Sequence, residues 1–241
     1  MAEQLYLASG GAVGQKLLSS SSTAAHKPGT QAVSSNGRKF RYAKAGGVAL
    51  VVGNSIQAPA QLTNHDQLTP VAAAIGDTTI TVTLGATAVT ANQYAGGLAI
   101  IDTTPGLGYS YTIKGHPAAD ASASVVLTLD EAIEVALTTT SRVTLAPSPY
   151  VGVIQCPIST LTGICVGGAV YPIAISEYGW IQTGGPGAAL IYQTPGVGFP
   201  VTATSGVAGG LAVHSAELGA VAYMMVTGVD GKVLPVFWIL D

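Results

Sequence analysis

The chain has 241 residues, of which 48% are hydrophobic and only 9% charged, with a formal net charge of −3. An average globular protein carries about 25% charged residues, so three classes remain: a membrane protein, a β-rich protein, or a subunit covered by its neighbours. Span length excludes the first, because a crossing helix needs about 20 consecutive apolar residues and the longest runs, residues 46–53 and 221–226, are far shorter. The opening MAEQLYLASG lacks the basic and apolar regions of a signal peptide, so synthesis in a reducing cytoplasm is expected.

Charge divides the chain. Residues 1–60 hold six Lys and Arg against one acid, Glu3, whereas residues 61–241 hold three against eleven. This predicts an extended basic N-terminal arm over 1–60, attached to an acidic body. Within the arm, LLSSSSTAAHKPGTQAVSSNG has a serine run, a Pro-Gly pair and no sustained periodicity, as in a segment that orders on a partner. It leads into NGRKFRYAKAGGVALVVGNSIQAP, where Arg38, Lys39, Arg41 and Lys44 fall within seven positions and an apolar stretch follows.

Beyond the arm, the spacing predicts strands. Residues 78–84 (TTITVTL) alternate Ile80, Val82 and Leu84 with threonines after the Ile75-Gly76-Asp77 turn, a period of two rich in β-branched residues. Residues 98–101, 109–113 (YSYTI), 125–129 (VVLTL) and 142–145 continue the pattern. Short strands with turn signals about ten residues apart indicate a sandwich or barrel. One short helix is expected over DEAIEVAL, residues 130–137, with Ile133 and Leu137 on a shared face and the acids in its first turn. Pro147, Pro149 and Pro157 predict a boundary near 150. Residues 178–183 (YGWIQT), 188–192, 221–227 and 233–240 then read as strands separated by Gly and Pro, with Trp180 assigned to a domain core. The expected organisation is an all-β fold of one or two small sandwich or barrel domains: arm 1–60, β-domain 61–150, and 151–241 as a second β-domain or a continuation of the first.

Catalytic signals are sparse. His26, His65, His116 and His214 are widely separated; His116 and Asp120 in HPAAD would share a site, but Pro117 points to a solvated turn, and Asn64-His65-Asp66 is equally turn-like. No G-x-S-x-G elbow occurs. GGPG (184–187) and SGVAGG (205–210) lack the Lys of a phosphate loop and read as hairpin turns. Asp130, Glu131 and Glu134 form the one dense acidic cluster, where paired catalytic carboxylates would have to lie. Cys156 and Cys165 read as two small buried hydrophobes rather than a disulfide or metal pair. No catalytic, cofactor or metal site is therefore expected.

Besides being what an exposed strand edge would carry, the basic cluster admits two functional readings. With Phe40 and Tyr42 interleaved it resembles a single-strand nucleic-acid platform, but an acidic body repels a polyanion, and nucleic acid is not an expected partner. The other is protein docking: Arg38, Lys39, Arg41, Tyr42 and Lys44 contact an acidic partner or neighbouring subunit, and residues 48–52 supply apolar burial.

The strings GRKFRYAKAGGVALVVGNSIQAP, VAAAIGDTTITVTLGATAVTANQYAGGLAIID, YSYTIKGHPAADASASVVLTLDEAI and YGWIQTGGPGAALI resemble structural proteins of tailed bacteriophages, in particular capsid decoration (cement) proteins. The resemblance covers most of residues 36–241. It implies a β-rich virion protein on the outer surface of the head, bound to the major capsid protein and associated with itself, a homotrimer being expected. It implies no enzymatic activity, no cofactor and no membrane. The alternative is a head or tail fibre component that adheres to a host surface, although no repeats or heptads are visible.

Overall fold

The computed structural model describes residues 5–10, 13–158, 160–204, 206–214 and 219–241; Glu3 and Ser205, which figured in the expectations above, lie outside them. The protein is all-β, with no helix among the described residues, and so none long and apolar enough to cross a membrane. Two compact units form: residues 1–59 with 149–241, and residues 60–148. The second unit is thus an insertion between two parts of the first.

In chain order the first unit begins with β1 (Leu5–Leu7), β2 (Gln31–Ser34), β3 (Lys39–Ala45) and β4 (Ser55–Gln57). The inserted unit holds β5 (Thr69–Pro70), β6 (Thr79–Thr83), β7 (Leu98–Thr103), β8 (Ser110–Gly115), β9 (Ser124–Leu129) and β10 (Arg142–Ala146). The first unit resumes with β11 (Val151–Gln155), β12 (Cys165–Ala169), β13 (Tyr178–Ile191), β14 (Pro200–Ala203), β15 (Leu211–Val213), β16 (Ala222–Met224) and β17 (Lys232–Ile239).

The inserted unit follows the period-two pattern closely. Its strands pair in the order β10-β7-β8-β9-β6-β5. Leu68, just before β5, and Val143 in β10 exchange both backbone hydrogen bonds at 2.9 Å, which joins the two ends of the sheet. Ile80, Val82, Val125, Leu127 and Leu129 point inward to one core, while the intervening Thr and Val side chains stay outside. The expected helix over 130–137 does not form. Ile133 and Leu137 do enter the core, but on an extended path: Ile133 N–H donates to the Asp77 carbonyl at 2.8 Å, and Leu137 N–H to the Ala73 carbonyl at 2.9 Å. An isolated helix this short is marginal, and bonds to residues 73–77 satisfy the same backbone groups while burying the same two side chains.

The first unit is built around β13, which has 14 residues. Its N-terminal half pairs with β3 and β12, and the ring β3-β11-β4-β12-β13 closes into a five-stranded barrel. Ala43, Ala45, Ile56, Val153, Val166 and Ile181 fill that barrel. Small side chains on β3 suit an interior only five strands wide. The C-terminal half of β13 pairs with β17 along eight register positions and meets β15 at Ile191–Leu211. Pairings β15-β14-β16-β17 complete a second ring around Ile191, Val201, Leu211, Met224, Val236 and Trp238.

The GGPG segment is the joint. It was expected to be a hairpin turn, but residues 184–187 continue β13 where its partner changes from β3 to β17. Gly185 takes φ +79°, a left-handed conformation that a side chain would strain, and an added Cβ would lie 3.1 Å from the Arg38 backbone. The Gln182 side-chain amide donates to the carbonyls of Gly184, Gly185 and Pro186 at 3.1, 3.2 and 2.8 Å, holding the joint from one side. Residues 206–210 of the SGVAGG segment, by contrast, do lie in the connection between the antiparallel strands β14 and β15.

The expectation of an extended arm over 1–60 is corrected at residues 31–57, which supply β2, β3 and β4 of the first unit. β3 is bordered by β2, β11 and β13 and lies inside the sheet. Residues ahead of it lie across its outer face: Leu17, Ala32, Phe40, Tyr42 and Trp180 form a further buried cluster. Ser21 and Tyr178 exchange backbone hydrogen bonds at 2.8 and 3.0 Å. The reason is the alternation within KFRYAKA. Phe40 and Tyr42 are fully buried against the N-terminal segment, while Ala43 and Ala45 enter the barrel. Burying those two aromatics outweighs the local abundance of charge.

Candidate partner-binding surface

The five residues expected to touch a partner lie together on β3 or beside it, and the fold uses most of them internally. Tyr42 has no exposed surface. Its hydroxyl donates to the Gln15 side-chain carbonyl and accepts from Ala25 N–H at 3.1 Å, and its ring meets Trp180 edge-on at 5.0 Å. Burial raises the Tyr42 pKa above the ordinary tyrosine value. Tyr42 therefore leaves the set of contact residues.

Arg41 forms a two-point ion pair with Asp241: Nε donates to Oδ2 at 2.8 Å and Nη2 to Oδ1 at 2.7 Å, while Nη1 donates to the Gly29 carbonyl at 2.9 Å. Hydrogen bonding from the Arg41 guanidinium holds the Asp241 carboxyl below its usual pKa and raises that of Arg41 in return. Arg38 donates to the Gln182 side-chain carbonyl at 2.8 Å and its guanidinium lies 5.0 Å from the centre of the Phe40 ring. The Lys44 ammonium sits 5.4 Å from the centre of the Tyr178 ring, a cation–π contact. Lys39 is half-buried and contributes to the positive field at Asp241. The cluster thus fastens β3 to β13, the chain's C-terminal residue and the N-terminal segment.

The apolar stretch that follows behaves differently. Residues 46–54 leave β3 as a loop rather than a strand, pinned by Leu50, which is buried and bridges Ile173. Leu50 N–H donates to Ile173 at 2.9 Å, Gly53 N–H to Ala169 at 2.9 Å, and Ser176 N–H to Gly46 at 3.3 Å. Two loops, 46–53 and 170–176, are thereby held side by side. Their outward side chains are apolar: Val48 is 56% exposed, Val51 53% and Ile175 57%, with Val52 and Tyr171 beside them. Neither loop carries a charged residue. Sequence reasoning singled out residues 48–52 but missed Tyr171 and Ile175, because exposed and buried apolar residues look alike in a sequence.

The other sequence candidates serve the fold. In the inserted unit His65 is buried, with Nδ1 2.7 Å from the Tyr94 hydroxyl and Nε2 2.9 Å from the Thr87 carbonyl. The carbonyl can only accept, so His65 carries its proton on Nε2 and Tyr94 donates to Nδ1. His116 accepts from Tyr94 N–H at 3.0 Å through Nε2 and donates to the Pro117 carbonyl at 2.8 Å through Nδ1. Asp120 is exposed and lines a shallow depression with Ala88, Val89 and Ala119. Glu131 accepts from Thr112 N–H at 2.9 Å, which fixes the turn after β9. Among the described residues, no three His, Cys, Asp or Glu side chains are placed to hold a metal ion.

Cys156 and Cys165 are free thiols. They flank β4 from β11 and β12 and share a hydrogen bond, which lowers the Cys156 pKa and, with burial, raises that of Cys165 well above the ordinary range.

The fold and this surface define an all-β protein with a closed five-stranded barrel and further sheets, presenting two adjacent uncharged apolar loops. No family model, curated protein or solved structure matches the chain.

Proposed function

We propose that this chain is a structural protein of a tailed-bacteriophage head: a capsid decoration protein that binds the outer surface of the major capsid lattice. The observation that carries the reading is the pair of apolar loops 46–53 and 170–176, held by backbone hydrogen bonds and uncharged. The strings quoted above support the same class. Binding selects the assembled shell over free capsid subunits, and stabilisation follows from mass action, because a ligand that binds one state alone favours it. No cofactor or catalytic step is needed. The docking role moves from the basic cluster to the loops, since the cluster is occupied within the unit. Lys44 and Lys39, at its borders, supply the remaining positive charge toward an acidic shell.

The test is co-sedimentation of the purified protein with emptied heads, wild type against Val48→Asp/Val51→Asp. Wild type should pellet with heads and raise their thermal disruption temperature, and the variant should remain folded but lose both effects. Wild type that does not bind heads would refute the proposal. Electron-microscopic labelling at the tail or at vertices, rather than over the facets, would indicate the fibre class instead.

A further inference from the structure

The outer face of the second ring is apolar across three neighbouring strands, and none of the described residues covers it. On β17, alternate residues Val233, Pro235, Phe237 and Ile239 all point outward and are all exposed. The register extends the row on both sides. Phe237 stands opposite Tyr223 of β16 and Pro186 of β13. Pro235 stands opposite Ala188, and its carbonyl accepts from Met225 N–H at 3.2 Å. Val233 stands opposite Leu190.

Tyr223 is 42% exposed, Phe237 45% and Val233 50%. An aromatic side chain carries about 150–250 Å², so each ring leaves roughly 80–100 Å² in water. The whole face amounts to something on the order of 600 Å², at the upper limit of patches found on monomers and close to one side of a standard protein interface. β17 is paired with β13 along its whole length and with β16 over residues 236–238, so its face is reached through side chains rather than by adding a strand.

We infer that this face is the contact surface between copies of this chain. Two arguments select a second copy over an unlike partner. The face carries no charged side chain and its one polar side-chain group is the Tyr223 hydroxyl, so it has little means of choosing a partner by complementary polarity. A chain of net charge −3 meets its copy without like-charge repulsion only where charges are missing, and a self-complementary apolar patch satisfies a symmetric contact. This inference does not depend on the phage reading.

The experiment is light-scattering mass measurement of the full chain at about 100 µM, a concentration that populates interfaces of micromolar affinity, compared with Phe237→Glu. Wild type should give a multiple of the 24.1 kDa monomer. The variant should return to the monomer mass, because an unpaired carboxylate in an apolar contact weakens association by roughly a hundredfold or more. Wild-type unfolding temperature should rise with concentration and the variant's should not. Tyr223→Lys, on the neighbouring strand, provides the same comparison if Phe237→Glu is insoluble. A photoreactive benzoylphenylalanine at Val233 reports the contact without adding charge. A monomeric wild type, an oligomer of unchanged mass in the charged variants, or a Val233 probe that yields no cross-linked dimer would each overturn the inference.

Discussion

Replacing Tyr42 with Phe removes one oxygen and leaves the ring in place, so it isolates what the hydroxyl does. That oxygen joins two segments. It donates to the side chain of Gln15, which is itself 93% buried by its 7% exposure, and it accepts from Ala25 N–H. Gln15 also ties the N-terminal segment to β13, its amide donating to the Tyr178 carbonyl at 2.9 Å and its backbone carbonyl accepting from Trp180 Nε1 at 3.1 Å. Tyr42→Phe strands a buried acceptor and releases a backbone donor, at a cost of about 1–3 kcal/mol. For a unit of this size each kcal/mol corresponds to roughly 2–4 °C, so the melting temperature should fall by about 2–12 °C. Differential scanning calorimetry measures this. Limited proteolysis should show faster cleavage within residues 13–30. A surface tyrosine that waits for a partner would change stability by no more than about 0.5 kcal/mol. A shift that small, with unchanged cleavage, would refute the placement of Tyr42 and restore the extended arm.

Three other outcomes are expected. Asp241 has a depressed folded-state pKa, so its ion pair with Arg41 adds stability above the unfolded carboxylate pKa and loses it as pH falls through the folded value. The difference in urea midpoint between wild type and Asp241→Asn should be present at pH 7 and fade as pH drops below the ordinary carboxylate range; the partly exposed pair limits it to about 1 kcal/mol or less. Gly168→Ala should destabilise by about 1–3 kcal/mol, because its Cβ would fall among the ring atoms of the buried Trp238, whereas Gly47→Ala, with open space around it, should be neutral in the same denaturation assay. Both cysteines should titrate as thiols in denaturant without reductant, while in the native state Cys165 reacts far more slowly at pH 7 than after unfolding, since its thiolate is disfavoured.

The inserted unit was legible because its strands bury one face and wet the other. TTITVTL displays that alternation without interference, and Ile80 and Val82 are buried where the pattern places them. The same period is present in KFRYAKA, but there the charges of Lys39, Arg41 and Lys44 mask the apolar face of Phe40 and Tyr42. Arg41 is tolerated at a half-buried position only because Asp241 lies opposite, and a pairing across 200 residues leaves no local trace. YGWIQTGGPGAALI reads as two strands because glycine and proline normally end strands. Here they permit the Arg38 backbone and the Gln182 side chain to approach. Ile133 and Leu137 were correctly paired on one side, but their spacing does not distinguish a helix from a segment clasped to residues 73–77. Which apolar residues remain exposed depends on the completed packing, so neither the loop pair nor the β17 face could be read beforehand.

Sharing β13 between two rings has a mechanical consequence. Along its length the strand is held by antiparallel ladders, to β3 at one end and to β17 at the other. A pull applied along β13 loads these hydrogen bonds in shear, so many must break together, whereas a peeling force would open them one by one. Neither ring can come apart without taking a wall from the other. The two therefore yield as a single block, with the Gln182–GGPG joint carrying tension from one ladder to the next.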